Sequence, residues 1–246
     1  MSKTKILGGL ALLLAAGTGC TSSQSKDIAT DALYASMSVT ADGSGQSVAT
    51  AALQVGGPTS TDFLDLSPGD TLVATEDGTD PQTMTREDLL GAVFYQSTFG
   101  IDSAGTLFQI AFDRTATSSM PNPVSAPDSH VSMPAPFDMT VVSSAGSFSR
   151  ASDPIDITWT GSGQSDPMSY QVYGSCINTT GQNISDTGSV AIPAGTIQAQ
   201  NGQGADNCQI TITLSRSRSG TVDPAYGKGG AITASQSRTV QVLSTP

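Results

Sequence analysis

The sequence predicts an all-β protein of two sandwich domains, with one larger sandwich as the alternative, and three observations predict it. Short runs of alternating apolar and polar residues recur along the chain. Turn chemistry separates them, as at Asp42-Gly43 and between Gly100 and Gly105. No long apolar stripe of 3.6-residue period accompanies them.

In the first half the alternation places strands at 33–41, 46–55, 62–66, 70–76, 92–99 and 105–113. Phe108, Ile110 and Phe112 share one face of the last of these, the signature of a half-buried strand. Residues 116–136 then carry Pro121, Pro123, Pro127, Pro134 and Pro136. Proline has no ladder donor, so the segment is expected to be a linker between domains, or else a long loop within one sandwich.

The second half alternates more cleanly. Ile155, Ile157 and Trp159 face one way, with Asp156, Thr158 and Thr160 opposite. Tyr170, Val172, Gly174 and Cys176 share a face if their strand persists. Ile210, Ile212 and Leu214 extend the register of Cys208, and Val240 and Val242 are expected to close the sheet. Arg216 and Arg218 beyond them are expected as surface charges at a strand end. The domain plan is therefore an N-terminal β domain over 31–115, the Pro/Ser-rich linker 116–136, and a C-terminal β-sandwich over 137–246.

The motif Ile155-Asp156-Ile157-Thr158-Trp159, followed by Tyr170-Gln171-Val172, is similar to strands B and C of fibronectin type III and related immunoglobulin-like sandwiches. Ile192-Pro193-Ala194-Gly195-Thr196 resembles the turn before strand F. The tyrosine that family carries soon after this turn is missing, and Gln198 to Asp206 looks like an insertion. The resemblance covers the C-terminal half, where it implies a fibronectin III-like sandwich over 137–246 and no particular activity, and the whole chain is expected to form two immunoglobulin-like β-sandwich domains.

The N-terminus has its own chemistry. Lys3 and Lys5 precede an uncharged stretch from Ile6 to Ala16, then Gly17-Thr18-Gly19-Cys20. A basic start, a short apolar run and small residues before a cut site form a secretory signal, too short to span a bilayer. The last four residues resemble the lipobox of bacterial lipoproteins, which implies a signal peptide over 1–19 and lipidation at Cys20. The alternative is an ordinary signal peptide, leaving Cys20 as a thiol. Polar residues 20–30 are expected to form a flexible tether carrying the lipid. Thr21, where inner-membrane lipoproteins often carry aspartate, implies the outer membrane by the same resemblance, on its periplasmic or surface face.

Removing Lys3 and Lys5 with the leader takes the formal charge from −11 to −13. That acidity argues against nucleic acid as a partner, since binding it needs clustered positive charge. It argues equally against a polybasic membrane patch. Cys176 and Cys208 form an even pair in an oxidising compartment, most simply a disulfide, with two separate thiols as the alternative.

No grouping of residues predicts catalysis, and the chain is expected to be non-enzymatic, without a cofactor. His130 is the lone histidine and lies in the proline-rich segment; no Gly-x-Ser-x-Gly elbow accompanies it. Ser23 and Lys26 have dyad spacing but fall in the tether, and Gly227-Lys228-Gly229-Gly230 lacks the remaining features of a phosphate loop. Glu76, Asp77 and Asp80 are weak calcium candidates, equally explained as a solvated Asp-Gly turn. Tyr173 and Tyr226 are the aromatics available for a sugar-binding shelf, with Trp159 assigned to the core. The expected function is a lipid-anchored envelope protein that acts structurally or through an envelope protein partner; a carbohydrate- or calcium-binding surface module is the alternative.

Overall fold

The computed structural model describes residues 21–142, 147–161, 163, 165–202, 204 and 206–246. The signal segment 1–19 and Cys20 lie outside the described residues. Among those described, the first half holds β1 (Thr21–Gln24), β2 (Leu33–Ala41), β3 (Ser47–Val55), β4 (Asp62–Asp65), β5 (Thr71–Glu76), β6 (Thr79–Thr83), β7 (Thr85–Leu89), β8 (Ala92–Phe99), β9 (Leu107–Asp113) and β10 (Ala126–Ser132). The second half adds β11 (Met139–Val142), β12 (Ser147–Ser149), β13 (Ile155–Trp159), β14 (Met168–Gly174), β15 (Thr180–Ile184), β16 (Ser189–Ile192), β17 (Cys208–Ser219) and β18 (Gly230–Thr245). Two short 3-10 turns, Ser25–Asp27 and Thr30–Ala32, are the helical elements among the described residues.

The strands form one long sheet and two small ones. The long sheet runs β1-β4-β3-β2-β18-β17-β14-β15, with β8 on β3, β7 on β8 and β12 on β18. Against its first half packs the four-stranded sheet β10-β9-β5-β6. Leu33, Ala35, Met37 and Val39 of β2 meet Phe108, Ile110 and Phe112 of β9 in one buried core. Against the second half packs the three-stranded sheet β11-β13-β16, and there Ile155, Ile157 and Trp159 meet Val172, Ile210 and Ile212. Three strands facing β15-β14-β17-β18, with the last strand beside β12 near the start of the second half, is the immunoglobulin-like arrangement. The chain is an all-β sandwich protein, as the alternation requires.

The period-two pattern sets the strands because each buries one face. In β17 the inward positions Ile210, Ile212 and Leu214 are fully buried while Thr211, Thr213 and Ser215 point outward. Each such aliphatic side chain contributes about 1.5–3 kcal/mol on burial. A one-residue slip would exchange the two sets, so the register is strongly specified.

Several expectations are corrected. The segment 116–136 is more than a linker: β10 lies within it and pairs antiparallel with β9, burying Ala126, Ser129 and Val131. Pro127 is tolerated because the register shifts between Ala126 and Ser129, where no regular ladder donor is needed. The boundary at 137 does not close the first sandwich either. Tyr226, Ile232 and Ala234 belong to the first core, while Val242 belongs to the second. Rather than closing a sheet, β18 is its spine: residues 230–236 pair parallel with β2, and Cys208 to Ser219 of β17 pair with Thr233 to Ser244 on its other edge.

The flexible tether is corrected as well. Thr21–Gln24 pair in parallel register with Asp62–Asp65. Ser25 and Thr30 are buried, and Arg114 donates to the carbonyl of Ile28 and the hydroxyl of Thr30. Polarity suggested a tether, yet these polar groups find partners inside the fold.

Candidate binding face

Between the two cores the inward face of the long sheet changes chemistry. After Leu214, β17 presents Arg216; after Ala234, β18 presents Gln236 and then Arg238. Arg216 is fully buried, not a surface charge, because both terminal nitrogens of its guanidinium find acceptors there. It donates to Ala135 O at 2.7 Å, Thr160 O at 2.9 Å and Asp186 Oδ1 at 2.9 Å. Trp159 Nε1 donates to the same carboxylate at 2.7 Å. Phe137 lies between two arginines, 5.0 Å from Arg216 and 5.1 Å from Arg238. Arg218 pairs in bidentate fashion with Asp166, and this pairing raises its pKa. On the inward side of the junction Arg216 and Arg218 are paired with carboxylates, and Arg238 lies over the Phe137 ring.

The outward side is different. On β17 it carries Thr211, Thr213, Ser215 and Ser217; on β18, Ser235, Ser237, Thr239 and Gln241. Register aligns Thr213 with Thr239 and Ser215 with Ser237, their hydroxyls 3.3 and 2.8 Å apart. Ser235 then sits opposite Thr40 of β2, and Ser38 opposite Thr50 of β3, whose hydroxyl accepts from Gln96 Nε2. On the other flank Ser169, Gln171 and Tyr173 of β14 continue the face. These outward positions of β2, β14, β17 and β18 bear hydroxyls, amides and tyrosines but no charge.

Two concavities open on this face. One, of about 430 Å³, is lined by Ser169, Gln171, Gln182, Asn183, Thr213 and Ser215. Gly181 on its wall lets β15 approach β14 closely, since a Cβ there would lie 2.7 Å from Tyr170 O. Tyr173, 43% exposed, stands two residues along β14 from Gln171. The other, of about 330 Å³, lies among Thr40, Ser44, Gln46, Val48 and Ser237. Asp42 at its rim is held below the usual carboxylate range by the hydroxyl and backbone of Ser44.

Comparison with known proteins adds little to this geometry. Neither protein-family models nor curated proteins gave a match to the chain. Among solved structures it is similar to the crystal structure of chicken CNTN1 FN1-FN3 domains, at 11% identity and a TM-score of 0.27. The match covers 85% of this chain and 66% of that one, so the chain spans just under two thirds of its length.

The other residues singled out from sequence fall as follows. Cys176 and Cys208 are bonded, with an S–S distance of 2.08 Å, and tie the end of β14 to the start of β17. Arg150, buried beside them, donates to Ser244 Oγ at 3.0 Å and to Asp206 O at 2.9 Å. Glu76, Asp77 and Asp80 sit around the β5–β6 hairpin, where Asp77 Oδ1 accepts from Leu107 N and Asp80 Oδ2 from Gln82. Among the described residues no three His, Cys, Asp or Glu side chains come together as a metal site. His130 is half-exposed on β10, its Nδ1 3.3 Å from Asp128 Oδ1.

Ser23 and Lys26 do not form a dyad: the hydroxyl donates to Asp62 Oδ2 and the ammonium lies 3.9 Å from Asp27. Gly227 packs against Asp31, where a Cβ would come within 2.4 Å of the carbonyl oxygen, so this loop serves close packing. Tyr226 is buried, not a shelf residue, and burial raises its pKa far above the usual phenol range. The uncharged face itself was open to detection in sequence. It is the polar half of the same alternation that located the core, read for its lack of charge.

Proposed function

We propose that this chain is a non-catalytic lipoprotein of the bacterial outer membrane, anchored through Cys20, that presents the outer face of its long sheet to an envelope protein partner. The observation that carries this reading is the run of uncharged hydroxyl and amide side chains across β14, β17, β18 and β2. Charged side chains are costly to desolvate, and interface cores are depleted of them. In a chain of net charge −11, a broad surface without charge is one that a protein can cover at little electrostatic cost.

The test is photocrosslinking in the native membrane from Gln171 and Thr213, with Glu87 on β7 as a distant control. A stoichiometric protein adduct from the first two positions and none from Glu87 supports the reading. Adducts from all three, or none from any, overturn it.

A second reading is favoured by one concavity. Gln171 and Asn183 supply both donors and acceptors around it, and the exposed Tyr173 beside it offers a ring face. That set suits a neutral glycan. Binding of uncharged oligosaccharides that is lost in Gln171→Ala and Tyr173→Ala would establish it in place of the protein partner.

A further inference from the structure

We propose that the Leu89–Leu90 turn is a second membrane contact which, together with the lipid at Cys20, sets how the protein stands on the bilayer. This inference rests on the anchor reading above. Leu89 is 64% and Leu90 91% exposed. They form the tip of the β7–β8 hairpin: β8 buries Val93 and Tyr95 in the first core, while β7 and the turn are exposed, so the apolar turn is the outermost part of the hairpin. Leu90 also holds a positive φ of 53°, an unfavourable conformation for a leucine. An exposed leucine gains nothing from its own fold for that strain; insertion into an apolar medium would repay it.

Register places this tip beside the chain's point of attachment. Thr21 pairs with Asp62, and Phe63 next to it pairs with Gln54 of β3. On the same edge of β3, Tyr95 of β8 pairs with Ala51, so the antiparallel register carries Ala92 to the level of Gln54. Thr21 and the 89–91 turn therefore lie at one end of the long sheet. β1 begins at Thr21, the residue after the proposed lipid site, so on the anchor reading this end of the sheet is the one that faces the membrane.

The opposite end is fixed by β18. It starts opposite Ala35, near the anchored end, and runs 16 residues into the second sandwich. At about 3.3 Å per residue it spans roughly 50 Å. The second sandwich, with its amide-lined concavity, is thus held away from the bilayer. Glu87 and Asp88 precede the tip, so the contact fits a zwitterionic rather than an anionic lipid surface.

The experiment uses the mature protein purified from membranes, its acylation read by intact mass, in phosphatidylcholine vesicles. Leu90→Cys and, as a distal control, Thr239→Cys are labelled with an environment-sensitive fluorophore, and melting curves check that both variants fold. The expected result is a blue shift at position 90 with quenching by doxyl lipids greatest about 5–10 Å below the headgroup boundary, and neither effect at 239. Replacing a third of the lipid with phosphatidylglycerol is expected to weaken the quenching. An acylated protein whose position 90 stays in water overturns this inference alone. A protein whose mass shows no acyl chains overturns the anchor and the inference together. Self-association through position 90 without vesicles also overturns it.

Discussion

Arg216 and Asp186 form an ion pair at 2.9 Å in which neither side chain reaches solvent, with exposures of 0% and 2%. The pair stands where the first core ends and the second begins, and it holds the carbonyl of Ala135 and the indole of Trp159 through the same groups. Removing one partner strands a buried charge. Arg216→Met is expected to destabilise the protein by about 3–5 kcal/mol, and joint replacement of Arg216 and Asp186 by apolar residues by less. Urea unfolding of the two single variants and the double variant measures the coupling. Additive losses would show that the pair does not act as a unit.

The N-terminal segment is expected to behave as part of the fold. Arg114 Nε lies 3.5 Å from Asp70 Oδ2, Ser25 Oγ donates to that same oxygen at 2.7 Å, and Thr115 N donates to the other at 2.8 Å. Asp70→Ala should cost about 3–5 kcal/mol, because it leaves Arg114 buried without its counterion. Protease cleavage within 25–30 should accelerate in parallel. A free tether would be cut at the same rate in both proteins.

Reduction of Cys176–Cys208 frees a loop with a sequence separation of 32. The chain-entropy relation assigns such a cross-link about 3–4 kcal/mol. Thermal unfolding with and without reductant reads the loss. The second core, which contains both cysteines, is expected to melt first.

Alkaline pH should destabilise the first sandwich through Tyr95. Burial pushes its phenol up to about 12 from an ordinary value of 10.0. The unfolded chain therefore gives up this proton before the folded one does. Stability is unaffected by Tyr95 below pH 10 and falls between pH 10 and 12, with a slope of at most about 1.4 kcal/mol per pH unit for one group. Tyr226, raised by burial too, adds a fall of the same sign. Tyr95→Phe should flatten the dependence in part, while removing the acceptor of the Leu66 N–H bond at 2.8 Å and so lowering stability at neutral pH. An unchanged slope in the variant would refute the assignment.

Much of this architecture was legible as periodicity. The strands Leu33–Ala41 and Ala92–Phe99 match the alternation residue for residue, and Cys176 and Cys208 meet where their registers pointed. Among the strands missed, two have little to alternate, and β10 was hidden by the prolines around it. Thr85–Leu89 is exposed throughout, and Thr21–Gln24 is held by backbone pairing with β4 and a serine hydroxyl on Asp62. Arg216 was misplaced because a charge ending an apolar run looks like a strand leaving the core; only the packed partner chain segments at Ala135, Thr160 and Asp186 make its burial possible.

By itself the sequence determined the fold class, most strand positions in the first half and the core-facing side of each, because side-chain period and turn chemistry are local properties. Tertiary structure alone decided that β18 runs through both sandwiches, that the polar N-terminal segment is built in, and that uncharged residues from distant strands form one face. Those outcomes depend on which strands become neighbours. Neighbour choice is settled by the burial of two cores at once, a condition no single segment of the chain contains.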